Sequence, residues 1–185
     1  KEKPVFIKYT AGGKTYTKQP DKYDFDLIDK IDTFVHPYWI PTHEIPRGYN
    51  TDQPRKSHNL THVHNFYTKR NLIVLSKIFN EISKVESVTL RNKLIFIFTS
   101  QLFRSSKKAI ISIGNFFHGG GGYVCTISGN LYIPAFRVET SVINNFENRI
   151  KKVNLLNKTN NLKKSNIRVG VSSATNLKMI PNECI

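Results

Sequence analysis

Three histidines, His58, His62 and His64, lead into an aromatic pair, Phe66 and Tyr67, and a cationic pair, Lys69 and Arg70, where a polar loop turns into a strongly periodic segment. Imidazoles at such a junction can ligate a metal, relay a proton or hydrogen-bond an anion. His58 and His62, four apart, would share one face of a helix, as metal ligands often do. His62 and His64, two apart, converge only on a strand or turn, and no nearby Cys or carboxylate completes a set, so no metal is expected. Anion recognition suits the residues better, because a helix start presents unpaired N–H groups and the positive end of its dipole. Tyr67, Lys69 and Arg70 fit the same role; the alternative is a tyrosine packed on the helices beside two solvated cations. Upstream, Trp39, Arg47, Arg55 and Lys56 mix rings with cations. Nucleic-acid contact uses that mixture, with cations for phosphate and π-faces for an exposed base. Rings packed on a core with the cations facing water is the equal alternative.

The balance of charge points to the same partner. The chain has 185 residues with 28 Lys+Arg against 13 Asp+Glu, a formal charge of +15, and this excess favours phosphate backbones or anionic surfaces. A Lys- and Asn-rich composition with a merely solvated surface would give the same total. Cys125 and Cys184 have no framework spacing and read as reduced thiols. No apolar run reaches the ~20 residues that span a bilayer, and no signal-peptide pattern opens the chain. A cytoplasmic protein with no membrane partner is expected, and the chain reads as a piece of a longer one. Nucleophilic catalysis is hard to build, with no Gly-x-Ser-x-Gly and no paired carboxylates outside one acidic segment.

The elements that must position these groups follow from periodicity. Val5–Tyr9 and Thr15–Thr17 flank Gly12-Gly13 and predict a hairpin. Pro20-Asp21 starts a helix through Asp32, with Leu27, Ile28 and Ile31 inward and Asp24, Asp26 and Asp29 outward. From His36 to Leu60 four prolines, Pro37, Pro41, Pro46 and Pro54, argue against a continuous helix. Leu72, Leu75, Ile78, Phe79 and Ile82 repeat at helical spacing from a start near Asn65 or Thr68. A second helix, 87–103, is apolar all round at Leu94–Phe98 and predicts burial on most sides, so that the two form a helical hairpin. Short strands are expected at 109–113, 123–127 and 130–133, with Gly119–Gly122 as a hairpin tip rather than a P-loop. A third helix should cover 139–155, and Ile167–Val171 reads as a buried strand. The fold class expected is α+β: a helical hairpin core with small antiparallel β-elements. Residues 1–60, 61–166 and 167–185 are read as three regions.

Four stretches carry a resemblance: Pro37-Tyr38-Trp39 with Pro41; Thr61-His62-Val63-His64 with Phe66–Leu72; Leu131-Tyr132-Ile133-Pro134; and Ser172–Leu177 with Ile180-Pro181. On these the chain resembles a family of bacterial DNA amino-methyltransferases, which use S-adenosylmethionine to methylate an exocyclic amine of adenine or cytosine. The resemblance implies that residues 167–185 start the catalytic sheet, the Ile167–Val171 strand being an edge of a doubly wound α/β sheet with ligands outside its carboxyl end. It implies that the glycine-rich cofactor motif precedes Lys1 and that the catalytic Asp-Pro-Pro-Tyr/Phe follows Ile185, leaving no catalytic residue here. The segment between those motifs would be the target-recognition region. Ser172, Ser173 and Ala174 would lie at the cofactor's adenine ring, with Ser173 where many such enzymes carry an acid. The implied partners are double-stranded DNA and the remainder of the catalytic domain. A stand-alone basic nucleic-acid-binding module without catalysis is the alternative.

Overall fold

The computed structural model describes residues 3–126 and 131–159. It is a mixed α and β structure in which the described residues up to Lys151 group into one compact unit. β1 (Ile7–Ala11) pairs antiparallel with β2 (Lys14–Lys18), and the expected Gly-Gly turn is present with φ of +56° and +77° at Gly12 and Gly13. α1 (Lys22–Thr33) starts where Pro20-Asp21 predicts. The Asp21 side chain accepts the Asp24 N–H, and the Asp24 carboxylate in turn accepts the Asp21 N–H. Asp24, expected to face outward, is instead half-buried as part of the cap and pairs with Lys18 at 2.7 Å. Ile28 and Ile31 are only half-buried and Leu27 is exposed, so the inward side expected of α1 is a shallow one, resting on α3.

The helix-free stretch expected between His36 and Leu60 is overturned by α2 (Tyr49–His58), which contains Pro54. The proline deletes only the N–H that would bond to Asn50 in the first turn, and its ring is fully buried. Asn59, left-handed at φ 53°, ends the helix, its N–H donating to Arg55 O at 3.0 Å while the Leu60 N–H reaches back to Pro54 O. A single 3-10 turn (Val63–Phe66) then leads into α3 (Lys69–Ser83), capped by the Thr68 side chain at Asn71 N–H. α4 (Val88–Leu102), capped by Ser87, packs back on α3 as the expected helical hairpin. Leu75, Ile82, Phe98 and Val142 form the main core, the last from α6 (Val142–Thr159).

Burial of α4 on most sides is not what the structure shows. Ile97 and Phe98 are buried, but Phe96 is 72 % exposed, and Leu90 and Val88 also face outward. A sequence apolar all round does not say which side its neighbours cover, and here they cover one. Further along, β3 (Ala109–Ile111) pairs antiparallel with β4 (Val124–Thr126), and the connection holds a short helix, α5 (Ile113–His118), ahead of the glycine run at 119–122. The third strand expected at 130–133 is absent over the described Leu131–Ile133. Ile133 and Pro134 are buried instead, Ile133 with Leu60 and Phe66 in a second cluster, and Arg137 makes the bridge to Ile110. The strand expected at 167–171 lies outside the described residues. Among the described residues no helix is long and apolar enough to cross a membrane.

Candidate nucleic-acid interface

The Thr61–His64 stretch runs antiparallel to Pro41–Ile45. Ile45 N–H donates to Thr61 O at 2.9 Å, Val63 N–H to His43 O at 3.1 Å, and His64 N–H to Pro41 O at 3.2 Å. Asn65 locks the junction, its Oδ1 accepting the N–H groups of Thr61 and His62 at 3.2 and 3.0 Å and the Thr61 hydroxyl at 3.3 Å. The histidines are oriented by this ribbon. His64 Nδ1 lies 3.2 Å from Pro41 O, and a carbonyl only accepts, so Nδ1 carries the proton and Nε2 is left as the acceptor. His62 Nδ1 is hydrogen-bonded to the Thr61 hydroxyl at 2.7 Å. The two rings sit 5.5 Å apart. His58 bonds instead to Ser57, and no group of three or more His, Cys, Asp or Glu among the described residues could hold a metal ion.

Tyr67 joins the two hydrophobic clusters, and burial pushes its phenol above the ordinary value. It helps line an open cleft of about 440 Å³ with Ile45, Phe66, Phe103, Ser106 and Lys108. Burial pushes the Lys108 ammonium below its ordinary value, and its Nζ sits 4.3 Å from the Phe103 ring centre. The cleft was not anticipated from sequence; Lys108 sits in a Ser-Ser-Lys-Lys run that reads as a simple break. Among the described residues no carboxylate lines it. It does not fit S-adenosylmethionine, whose sulfonium and ammonium charges call for acidic partners. Ser172, Ser173 and Ala174 lie outside the described residues.

The cations divide by their partners. Arg55, with a side chain 11 % exposed, donates to the Glu44 carboxylate at 3.1 Å and to the Ile45 carbonyl, which ties α2 to the ribbon. Arg70 is ion-paired with Glu139. Arg47 and Lys56 are exposed and Lys69 half-buried, and none of the three has a carboxylate partner among the described residues. Trp39 rests one side on Phe79 at 5.7 Å between ring centres yet stays 61 % exposed, and Tyr38 sits under Lys77 Nζ at 4.9 Å. These rings touch α3, and the indole also faces water. Of the residues singled out in the sequence, Arg55 and Tyr67 hold the fold together, whereas Trp39, Arg47, Lys56 and Lys69 have groups available to a partner. Comparison of the chain with protein-family models, curated proteins and solved structures gives no match.

Proposed function

We propose that this chain is the DNA-contacting, target-recognition part of a site-specific DNA amino-methyltransferase, a bacterial cytoplasmic enzyme of the restriction-modification type that modifies adenine or cytosine. One observation carries the reading. Three stretches on which the resemblance rests, far apart in sequence, meet in space: Pro41 accepts the His64 N–H, and Ile133 packs on Phe66 beside Leu60. Around that joint Arg47, Lys56 and Lys69 supply charge for phosphates, and Trp39 supplies a ring. In this role the ribbon fixes where those groups stand, the His64 Nε2 lone pair accepts a hydrogen bond from a base edge, and the duplex is held in register. S-adenosylmethionine, held by the remainder of the enzyme, supplies the methyl group.

The test uses the natural full-length protein. Tritiated methyl from S-adenosylmethionine should appear on the exocyclic amines of mixed-sequence duplex DNA, and an Asp-Pro-Pro-Tyr or Asp-Pro-Pro-Phe should follow Ile185 within about ten residues. Duplex binding without any methyl transfer, and without that motif, would replace the reading with a non-catalytic nucleic-acid-binding module. Binding should weaken steeply with salt, and Lys56→Ala or Lys69→Ala should each lower the slope of log K against log salt by about 0.9.

A further inference from the structure

The β1–β2 hairpin has no part in the ribbon or the cleft. Its base is anchored: Phe6 meets the Phe116 and Phe117 rings edge-on at 6.0 and 5.3 Å, and Lys8 Nζ donates to the Phe116 carbonyl. Lys18 pairs with Asp21 and Asp24 at 2.9 and 2.7 Å. Beyond this base every residue from Tyr9 to Thr17 is exposed. A two-stranded ribbon alone is marginal in water. Here it is held by the anchors, by a Gly-Gly turn with positive φ at both residues, and by Tyr9 stacked on Tyr16 directly opposite, 5.5 Å between ring centres. The fold therefore keeps a finger extended that covers nothing of its own core.

Its chemistry indicates what it meets. From Lys3 to Pro20 there are four lysines and no carboxylate, and Lys14 stands at the tip. Strand alternation puts Thr10, Thr15 and Thr17 on one face and the tyrosine pair with Lys14 on the other. Both ribbon edges present outward N–H groups, which are donors for phosphate oxygens. A major groove about 12 Å wide admits a two-stranded ribbon. We propose that the hairpin is a second DNA-contacting element, entering the major groove of a duplex with Lys14 at a phosphate and its hydroxyl-bearing face toward base edges. The inference rests on the reading that this chain binds duplex DNA.

The experiment measures binding of the full chain to a fluorescein-labelled 20-base-pair duplex by anisotropy from about 50 to 200 mM salt. Lys14→Ala should lower the salt slope by about 0.9, which is roughly an eightfold loss of affinity at 0.1 M salt. Thr10→Val with Thr15→Val should reduce discrimination between duplex sequences while leaving the slope unchanged. As a readout independent of substitution, duplexes carrying 5-iodouracil should photocross-link to the hairpin within residues 9–17. Wild-type binding with unchanged Lys14→Ala affinity, and cross-links confined to residues 39–70, overturns the hairpin's role and leaves the interface at Lys56 standing. No duplex binding by the wild type overturns both. Hairpin-dependent binding to anionic phospholipid vesicles in place of duplex makes the finger a lipid contact and overturns the proposal.

Discussion

Replacing Gln101 by Met removes a side-chain amide from the core of the helical hairpin while keeping length and volume. The Gln101 side chain is 0 % exposed, and among the described residues neither its Nε2 nor its Oε1 has a hydrogen-bond partner. Asn71 is the contrast, a buried amide whose Nδ2 donates to the Ser105 carbonyl at 2.9 Å. A buried polar group without a partner costs about 1–3 kcal/mol, and an apolar isostere removes that cost. Gln101→Met should therefore stabilise the fold by about 1–3 kcal/mol, whereas Asn71→Leu should destabilise it by a similar ~1–3 kcal/mol, because it strands the Ser105 carbonyl. With a urea m-value of about 2 kcal/mol/M, the Gln101→Met midpoint should rise by about 0.5–1.5 M. The assay is urea unfolding read by far-UV circular dichroism and by the fluorescence of Trp39, whose indole rests on Phe79. A Gln101→Met midpoint below wild type, or both variants moving in the same direction, would refute the claim that the two amides differ in satisfaction.

Thr68→Ala should remove the α3 cap and lower stability by about 1 kcal/mol, with Thr68→Ser restoring it in the same urea titration. The Tyr67 phenol is raised above its ordinary value of 10.0 by burial, so the unfolded chain ionises first. Its contribution is whole below that value and is lost as pH rises through the folded one; Tyr67→Phe should flatten this alkaline loss in melting temperatures measured from pH 9 upward. Glu81 is held down to about 2 by Lys77 and then Lys84. The pairing thus favours the folded chain above the ordinary carboxylate value and fades as pH falls from about 4.5 toward 2. Lys77→Gln should raise the Glu81 titration midpoint followed by carboxyl-carbon NMR, and an unmoved midpoint would discard the pairing.

How far the chain could be read in advance depended on whether a local signal and the tertiary packing agreed. α3 was legible because Leu72, Leu75, Ile78, Phe79 and Ile82 mark one face and Thr68 caps the start. α2 was not, since Pro54 weighs heavily against a helix in any sequence; the signals that identify it are Gly48 before it and Asn59-Leu60 after it, which close it in a left-handed cap. Phe96 was placed wrongly because an apolar residue in an apolar run gives no direction. Ile133 and Pro134 look like strand residues, yet they are drawn into the Leu60 and Phe66 cluster, a contact no local pattern encodes. At the interface, residue types were legible and commitments were not. Arg55 and Arg70 read like Arg47 in sequence, and only the positions of Glu44 and Glu139 separate them.

The bond from Ile45 N–H to Thr61 O has a consequence for how the chain can vary. The backbone leaves and returns at adjacent points, so residues 46–60 form a closed excursion with its own helix, tied to the rest of the chain by Leu60 on Phe66 and Ile133. Doubling the length of such an excursion costs only ~0.6 kcal/mol of closure entropy. The α3–α4 hairpin does not register its length, provided Arg55 and Leu60 have equivalents to tie it down. Residues 46–60 are thus an exchangeable cassette: a segment of different length or composition can be set between the same two strands, changing what the surface touches while the rest of the chain keeps its fold.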